Sequence, residues 1–303
     1  MSSLKLWSIA LAIFISPWRS TGQPVVFDSL KLILPGANLV QVTDQFKFTE
    51  GPAVDKKGNV FFTDQPNDKI WEYDTNGKLS IFMDKTGRSN GLFFDKKDKL
   101  YACADENNEI WCFDKEGNHK VIFSDLGGKK LNGPNDLWIT STGGIYFTDP
   151  FYPRDYWQRT KSELDGQKVY FLAKGKKEPI IVDADLKQPN GIIGSSNGKY
   201  LYVADIRDSK TYRYEIQPDG KLANKKLFVD QGSDGMTTDL KGNIYLSGRG
   251  VTIYNPSGIK IGYIPVPSKW TANICFGGAD RKTLFITASE SVYILSMQVA
   301  GVK

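Results

Sequence analysis

The sequence predicts an all-β fold, a six-bladed β-propeller with four-stranded blades. A short turn followed by β-branched and aromatic residues occurs six times, in copies that align at Val60, Leu100, Ile145, Leu201, Ile244 and Leu284. Successive copies are 40, 45, 56, 43 and 40 residues apart. This is the spacing of propeller blades, whereas a β-sandwich, the simpler alternative, predicts no fixed period.

The segments between the copies predict the remaining strands. Each copy is followed by a further strand and a glycine-containing turn, as in residues 69–74 before Asn76 and Gly77, which is typical of antiparallel hairpins. The sixth copy ends after residues 291–295, one strand short. We expect the segment before the first copy, at residues 30–33 or 37–42, to supply that strand and close the ring. No linker interrupts residues 23–303, so we predict one propeller domain there.

The N-terminus has the pattern of a secretory signal peptide. Lys5 precedes an apolar run over residues 6–16 that is too short to span a bilayer comfortably, and Ser20 and Gly22 form a cleavage pattern before Gln23. We therefore predict a signal peptide at residues 1–22 and an exported protein, periplasmic or secreted, with no membrane span after cleavage. The alternative is a buried apolar N-terminal helix. No polar face repeats along the run.

The composition excludes several classes of protein. The chain has 303 residues, of which 40% are hydrophobic and 13% aromatic, so intrinsic disorder is excluded. A net charge of +5 without any basic run argues against a nucleic-acid partner. His119 is the only histidine, which argues against a His-rich zinc site and a Ser-His-Asp relay. Cys103 and Cys112 face each other across a predicted hairpin, where a disulfide is conceivable and two buried thiols are favoured.

Side-chain oxygens recur in phase with the blades. Each repeated strand is preceded by a shorter one, and the residue that opens it carries an oxygen in every copy. We call these residues the oxygen ring: Glu50, Asn90, Asn135, Asn190, Asp234 and Asn273. Each alone is an ordinary turn former. Because a propeller points the same end of every innermost strand at one mouth of its channel, we expect all six to converge. Oxygen ligands suit Ca²⁺, with another divalent cation as the alternative.

A second set of acidic residues is predicted at the same mouth. It consists of the residues where the hairpins return: Asp64, Asp105, Asp149 and Asp205. Solvated turn residues are the alternative interpretation. The 56-residue interval contains an insertion at residues 150–159, which leaves from Asp149 and therefore lies over this mouth. Its aromatic rings and arginines suit a small, oxygen-rich ligand.

Five motifs in order resemble the SMP-30/gluconolactonase/LRE family over about residues 45–300. They are FTEGP at 48–52, LNGPND at 131–136, FTDP at 147–150, KQPNG at 187–191 and SDGM at 233–236. The C-terminal stretch is similar to the bacterial gluconolactonase branch. The resemblance implies a six-bladed propeller with one divalent cation, usually calcium, held by Glu50, Asn135, Asn190 and Asp234. At Gly133 the chain departs from the animal branch, which has a substrate-binding arginine there.

These observations predict a calcium-dependent lactonase, gluconolactonase-like, that opens a sugar lactone with metal-activated water. Asp234 is the candidate general base as well as a metal ligand, and Asp136 is the reserve base. We expect these residues to bind the substrate: Asn90, Asp105, Asp149, Tyr152, Arg154, Trp157, Arg249 and Asn273. A phosphotriesterase on the same calcium site and a non-catalytic binding propeller stay open as alternatives. No obligate protein partner is evident.

Overall fold

The computed structural model describes residues 26–114 and 117–302. These residues form six antiparallel sheets around a central channel, which confirms the predicted six-bladed propeller with four-stranded blades. The predicted signal peptide at residues 1–22 lies outside the described residues. Within them, no helix is long and apolar enough to cross a membrane.

Blades 1 to 4 run from the channel outward in chain order. Their strands are Thr49–Val54, Val60–Asp64, Lys69–Tyr73 and Leu79–Asp84 in blade 1; Ser89–Phe94, Leu100–Ala104, Glu109–Phe113 and His119–Phe123 in blade 2; Leu137–Ile139, Ile145–Asp149, Lys168–Leu172 and Ile180–Asp183 in blade 3; and Pro189–Gly194, Tyr200–Asp205, Lys210–Ile216 and Leu222–Val229 in blade 4. A 3₁₀ helix, Gln65–Asn67, follows the second strand of blade 1, and a small hairpin, Asp125–Leu126 with Lys129–Lys130, lies between blades 2 and 3.

The N-terminal segment completes blades 5 and 6. Blade 5 comprises Met236–Thr238, Ile244–Leu246, Val251–Tyr254 and Lys260–Ile264, and blade 6 comprises Asn273–Gly277, Thr283–Ala288 and Ser291–Ser296. Val40–Thr43 pairs with the last of these strands as the outermost strand of blade 6. The predicted ring closure is thereby confirmed, through the second of the two candidate segments. A short strand that the sequence did not predict, Phe27–Asp28, adds a fifth strand to blade 5.

The hydrophobic core consists of clusters between neighbouring blades. Between blades 1 and 2, Phe61 and Ile70 pack in one cluster with Leu92 and Trp111. The second strand of a blade contacts neighbours on both of its faces, and Val60–Asp64 is accordingly buried along its whole length. The repeated segments found in the sequence are these second strands, which explains why they read as nearly continuous apolar runs.

The cysteines are free and buried. Cys103 lies opposite Ile110 in the strand pairing of blade 2, and Cys112 lies opposite Tyr101. The two cysteines are therefore not cross-strand partners, and the conceivable disulfide between them does not form. The favoured interpretation, two buried thiols, is confirmed. Burial raises the pKa of the Cys103 thiol well above its ordinary value.

Glycines allow the innermost strands to pack closely around the channel. A Cβ atom on Gly51 would lie 2.0 Å from the Asn90 carbonyl oxygen, and one on Gly91 would lie 2.6 Å from the Asn135 carbonyl oxygen. The Gly91 N–H donates a hydrogen bond of 2.8 Å to that same Asn135 oxygen. The glycine that follows an oxygen-ring residue is thus required by the contact between blades and is more than a turn residue.

We expect Gly91→Ala to lower the free energy of unfolding by about 3 kcal/mol, because its Cβ would push against the main chain of blade 3. Gly175→Ala is the matched control, since Gly175 has a φ of +76° and no atom within 4 Å of its added Cβ. At Gly175 only the left-handed backbone opposes alanine, at about 1 kcal/mol. Urea denaturation measures both variants, and equal losses would contradict the packing role of Gly91.

Candidate functional site

The oxygen ring lies at one mouth of the channel, where the innermost strands begin. Glu50, Asn90 and Asn190 are the second residues of their strands, and Asn273 is the first residue of its strand. Asn135 and Asp234 stand two residues before their strands. Five of the six residues are buried and Asp234 is partly buried. The predicted convergence at one end of the innermost strands is therefore observed.

Hydrogen bonds from the preceding blade fix the main chain of the oxygen ring. The Thr63 hydroxyl of blade 1 donates to the Asn90 carbonyl oxygen at 3.1 Å, and the Thr148 hydroxyl of blade 3 donates to the Asn190 carbonyl oxygen at 2.7 Å. The Ser247 hydroxyl of blade 5 donates in the same way to the Ala272 carbonyl oxygen at 2.7 Å. These hydrogen bonds hold the main chain at the ring against the neighbouring blade.

Carboxylates and amides of different blades meet in this ring. Asn273 Nδ2 donates to Glu50 Oε2 at 3.5 Å, across the contact between blades 6 and 1. Glu50 Oε2 also accepts the Gly51 N–H at 2.9 Å. Asp136 Oδ1 accepts the Leu137 N–H at 2.9 Å. The charges of Asp136 and of Asp234 both act on Glu50, so three carboxyl groups share one buried region.

Burial dominates the electrostatics of these carboxyl groups. Burial raises the pKa of Glu50 well above its ordinary value, and the charges of Asp234 and Asp136 raise it further. Burial also raises the pKa of Asp136 to about 7 and that of Asp234 to about 6. The anionic forms are therefore less favoured than those of exposed carboxyl groups, although several hydrogen-bond donors partly offset the effect of burial. A bound cation would reverse that preference.

The ring contains buried amide oxygens to which no described group donates a hydrogen bond. These oxygens indicate whether a cation would fit the ring. Asn90 Oδ1 and Asn190 Oδ1 are buried and have no hydrogen-bond partner among the described residues. An unsatisfied buried oxygen costs about 1 to 3 kcal/mol. Two free amide oxygens beside carboxylates form an all-oxygen donor set, which suits Ca²⁺ better than zinc. The residues present therefore fit a hard cation.

Amides, rather than a large acidic cluster, distinguish this ring. Across residues 26–114 and 117–302, no group of three or more His, Cys, Asp or Glu side chains has an arrangement that could hold a metal ion. The predicted ligand set has two carboxylates and two amides: Glu50, Asp234, Asn135 and Asn190. The assignment of these four residues as metal ligands stays a prediction.

Trp270 contacts the candidate base Asp234, and this contact was not predicted from the sequence. Its indole Nε1 donates to Asp234 Oδ2 at 2.5 Å. This hydrogen bond favours the ionised carboxylate and opposes the effect of burial on the pKa of Asp234. Trp270 lies three residues before Asn273, in the loop that enters blade 6, and no other blade has a tryptophan at this place. Because Trp270 has no counterpart in the other blades, only its closeness in sequence to Asn273 could have indicated a role at the site.

Three of the four hairpin aspartates hold loops together. Asp64 accepts the main-chain N–H groups of Lys47 and Phe48. The other two accept in the same manner, Asp149 from Asn132 and Gly133, and Asp205 from Lys187 and Gln188. All three are buried, so the interpretation as solvated turn residues is wrong. Asp149 therefore has a structural role here, which differs from the substrate-binding role predicted for it.

Asp105, the fourth of these aspartates, holds the insertion. Its Oδ2 accepts Arg154 Nε at 2.8 Å and Gln65 Nε2 at 3.2 Å, and it forms a short hydrogen bond with the Tyr156 hydroxyl. The Asp105 carbonyl oxygen accepts Trp157 Nε1 at 3.0 Å. The insertion from blade 3 is thus docked on blade 2 through the side chain and the main chain of one buried residue, Asp105.

The docked insertion reaches the oxygen ring, as the sequence predicted. Asn190 Nδ2 donates to the Tyr152 hydroxyl at 3.0 Å, and the Arg154 guanidinium lies 5.6 Å from the Tyr152 ring centre. A Cβ on Gly133 would lie 2.7 Å from Asp105 Oδ1 and 2.9 Å from Trp157 Cη2. The insertion therefore occupies the space that a side chain at position 133 would need.

Arg249 is the predicted substrate-binding residue with the weakest link to the site. It follows the second strand of blade 5, so its main chain lies at this mouth. Its side chain is exposed, and its carbonyl oxygen accepts the Tyr263 hydroxyl at 2.8 Å. No contact joins its guanidinium to the oxygen ring in the described structure, and its substrate role stays a prediction.

The channel continues beyond the oxygen ring to the opposite face. A cavity of about 1010 Å³ opens there, and the innermost strands form its walls. Leu92, Ile192 and Met236 line its apolar part, and Asp136 and Asn273 lie at its inner end. Asp136 therefore faces the cavity from the far side, while Asp234 does not line it.

Comparisons with known proteins agree with this geometry. The family described as the SMP-30/Gluconolactonase/LRE-like region matches residues 48–290. The chain is 28% identical to the gluconolactonase of Zymomonas mobilis over 86% of this chain and 81% of that protein. It is 27% identical to the diisopropyl-fluorophosphatase of Loligo vulgaris over 57% of this chain and 59% of that protein. The X-ray structure of a proposed gluconolactonase superposes with a TM-score of 0.85 at 29% identity, covering 92% of this chain and 100% of that one.

We expect Asp105→Asn to release the insertion, because the change removes the charge that holds Arg154. Losing a charge-assisted hydrogen bond of about 1.5 to 3 kcal/mol should speed tryptic cleavage at Arg154 and Arg159 by about tenfold or more. Asp155→Asn is the matched control, since Asp155 is exposed in the same insertion. Limited proteolysis followed by mass spectrometry measures both. Equal cleavage rates for the two variants would show that Asp105 does not anchor the insertion.

Proposed function

Because the chain belongs to the SMP-30/gluconolactonase/LRE-like family, we propose that it is a calcium-dependent lactonase that opens a sugar lactone with water. The observation that carries this proposal is the oxygen ring, in which two buried amide oxygens without partners lie beside carboxylates. The gluconolactonase of Zymomonas mobilis, similar over most of both chains, supports the reaction class.

The proposed calcium ligands are Glu50, Asn135, Asn190 and Asp234. Calcium bound there would polarise the lactone carbonyl oxygen and lower the pKa of the attacking water. The unpartnered Asn190 Oδ1 supports its place in the set. The raised pKa of Glu50 supports a cationic occupant, because the ionised form has no basic side chain as a hydrogen-bond partner here.

Asp234 is better placed than Asp136 to act as the general base. Asp234 is partly exposed at the mouth that the insertion covers. Asp136 is buried, and it lines the cavity on the far side of the ring. In the reaction, Asp234 accepts a proton from water as the water oxygen bonds to the carbonyl carbon. The ring C–O bond then breaks and the departing oxygen takes the proton, which yields a hydroxy acid.

The insertion supports a substrate rich in hydroxyl groups. The Tyr152 hydroxyl accepts a hydrogen bond from Asn190, so its own proton is available to a substrate oxygen. Arg154 uses Nε for Asp105, which leaves its two terminal nitrogens as donors. Trp157 presents an indole that stacks with Arg159 at 4.4 Å and can cover the apolar face of a sugar ring. Asn90 and Asn273 contribute amide groups from the ring below.

Phosphotriester hydrolysis is a second candidate on the same residues. A hard Lewis acid polarises phosphoryl and carbonyl oxygens alike. The similarity to the diisopropyl-fluorophosphatase of Loligo vulgaris favours this candidate, although it covers 57% of this chain against 86% for the gluconolactonase. A non-catalytic binding propeller is disfavoured, because such a scaffold needs no in-phase oxygen ring. Initial rates on lactone and phosphotriester panels, with calcium and with a chelator, separate the three.

We also propose that the protein is exported to the periplasm or the medium. The proposal rests on the basic and apolar segments of residues 1–16 and the small residues before Gln23. Cell fractionation with N-terminal sequencing tests it. A mature chain that begins at Gln23 outside the cytoplasm would support export, and an unprocessed cytoplasmic chain would overturn it.

We expect the purified protein to bind about one Ca²⁺ per chain. Glu50→Gln should weaken that binding by about tenfold or more, because it removes a ligand charge from the ring. Glu178→Gln removes the same charge from an exposed position and is the control. Isothermal titration calorimetry measures the affinities. A protein that binds no calcium, or a Glu50→Gln variant that binds as tightly as the control, would refute the metal assignment.

We expect Asp234→Asn to lower kcat for lactone hydrolysis by about 100-fold or more, because the amide cannot accept the proton. The same substitution at Asp136 should have the smaller effect, since Asp136 is the reserve base on the cavity side. A pH-stat assay at saturating calcium measures both, with thermal unfolding as the check on folding. A larger loss for Asp136→Asn would transfer the base role to Asp136.

A further inference from the structure

Two aromatic side chains outside the innermost strands touch predicted ligands of the oxygen ring. We propose that Trp270 and Tyr152 are positioning residues, which orient Asp234 and Asn190 so that one oxygen of each faces the metal. The inference rests on the metal site of the proposed function and extends it to residues that contact no metal themselves.

Trp270 fixes the orientation of the Asp234 carboxylate. An indole N–H only donates, so the 2.5 Å hydrogen bond from Nε1 holds Oδ2, and the Asn190 side chain gives the carboxylate a second hydrogen bond. The main chain of Trp270 is itself held on both sides. Its N–H donates to Ser289 Oγ at 3.2 Å, and the next N–H, that of Thr271, donates to the Gly248 carbonyl oxygen at 2.8 Å. The indole is thereby fixed between blades 5 and 6.

Tyr152 fixes the orientation of the Asn190 amide. Asn190 Nδ2 donates to the Tyr152 hydroxyl, and the Asn190 side chain also hydrogen-bonds Asp234, so the amide nitrogen faces these two groups. The amide oxygen Oδ1 faces the other way, where it is buried without a partner. A free amide could rotate and present nitrogen instead, which is no ligand for calcium. The hydroxyl, together with the Asp234 carboxylate, therefore favours the orientation that a metal needs.

These contacts have the character of an outer shell around a metal site. Hydrogen bonds to ligating groups typically change metal affinity by about 10 to 100-fold when they are removed. Neither Trp270 nor Tyr152 belongs to the apolar clusters between the blades. Their removal should therefore affect the ligands they touch more than the stability of the propeller. Tyr152 also belongs to the insertion, so calcium affinity is coupled to the docking of the loop that covers the site.

Calorimetric titration of the full-length protein with Ca²⁺ tests the proposal. Trp270→Phe and Tyr152→Phe keep an aromatic ring and remove one hydrogen-bonding group each. We expect each variant to bind calcium about tenfold more weakly, and the double variant about 100-fold more weakly. Thermal unfolding without calcium should stay close to that of the wild type, which a merely structural role would not allow.

Matched controls make the same substitutions elsewhere. Trp71→Phe is the first, because Trp71 Nε1 is buried without a hydrogen-bond partner in the described structure. Tyr254→Phe is the second, because its hydroxyl bonds to Gln231 Oε1 at 2.8 Å, outside the oxygen ring. Both controls should bind calcium as the wild type does.

The outcomes separate this inference from the function it rests on. Wild-type calcium affinity in both Trp270→Phe and Tyr152→Phe would overturn the positioning role and leave the metal site in place. A wild-type protein that binds no calcium would overturn the metal site and the positioning role together. Weaker binding that is matched by an equal loss in the two control variants would also overturn the inference, because the effect would not be specific to the ring.

Discussion

The close approach of the innermost strands is the constraint on which the site depends. Where Gly51 and Gly91 face the next blade, the main chains are so near that no side chain fits between them. This contact brings the residues before the glycines, Glu50 and Asn90, into a narrow ring in which both side chains are buried. The absence of a Cβ after four of the six ring residues therefore contributes both to the close packing of the blades and to the burial of the oxygen atoms.

Burial of the ring creates an electrostatic imbalance that a cation can resolve. The pKa values of Glu50, Asp136 and Asp234 are all raised mainly by burial, which disfavours the ionised forms of these carboxyl groups. At the same time, Asn90 Oδ1 and Asn190 Oδ1 lack donors. A protonated carboxyl group could donate to an amide oxygen within its reach, whereas a divalent cation would accept electron pairs from carboxylates and amides together. The proposed calcium site is one arrangement that would satisfy both kinds of group.

Features that repeat from blade to blade were predicted from the sequence, whereas roles that belong to a single residue were not. The blade period arises from local hairpins and was confirmed by the four-stranded sheets, and the strand missing from the sixth blade was found, as predicted, in the N-terminal segment Val40–Thr43. In contrast, Asp105 and Asp149 occupy equivalent places in their repeats but differ in role. Asp149 binds the main chain of its own entering loop and Asp105 binds an insertion from another blade. Trp270 has no counterpart in the other blades. Roles set by distant partners leave no periodic signal for sequence reasoning to detect.

The insertion and the oxygen ring come from different parts of the fold, which bears on the proposed substrate selection. Gly133 leaves room for Asp105 and Trp157, and the insertion fills that room with Arg154 anchored on Asp105. The groups that can read a substrate thus belong to a loop outside the six innermost strands, while the oxygen ring belongs to the strands themselves. A change in the loop can alter substrate choice without moving the main chain that holds the ring. The similarity of this chain both to a gluconolactonase and to a diisopropyl-fluorophosphatase is compatible with such a division of roles.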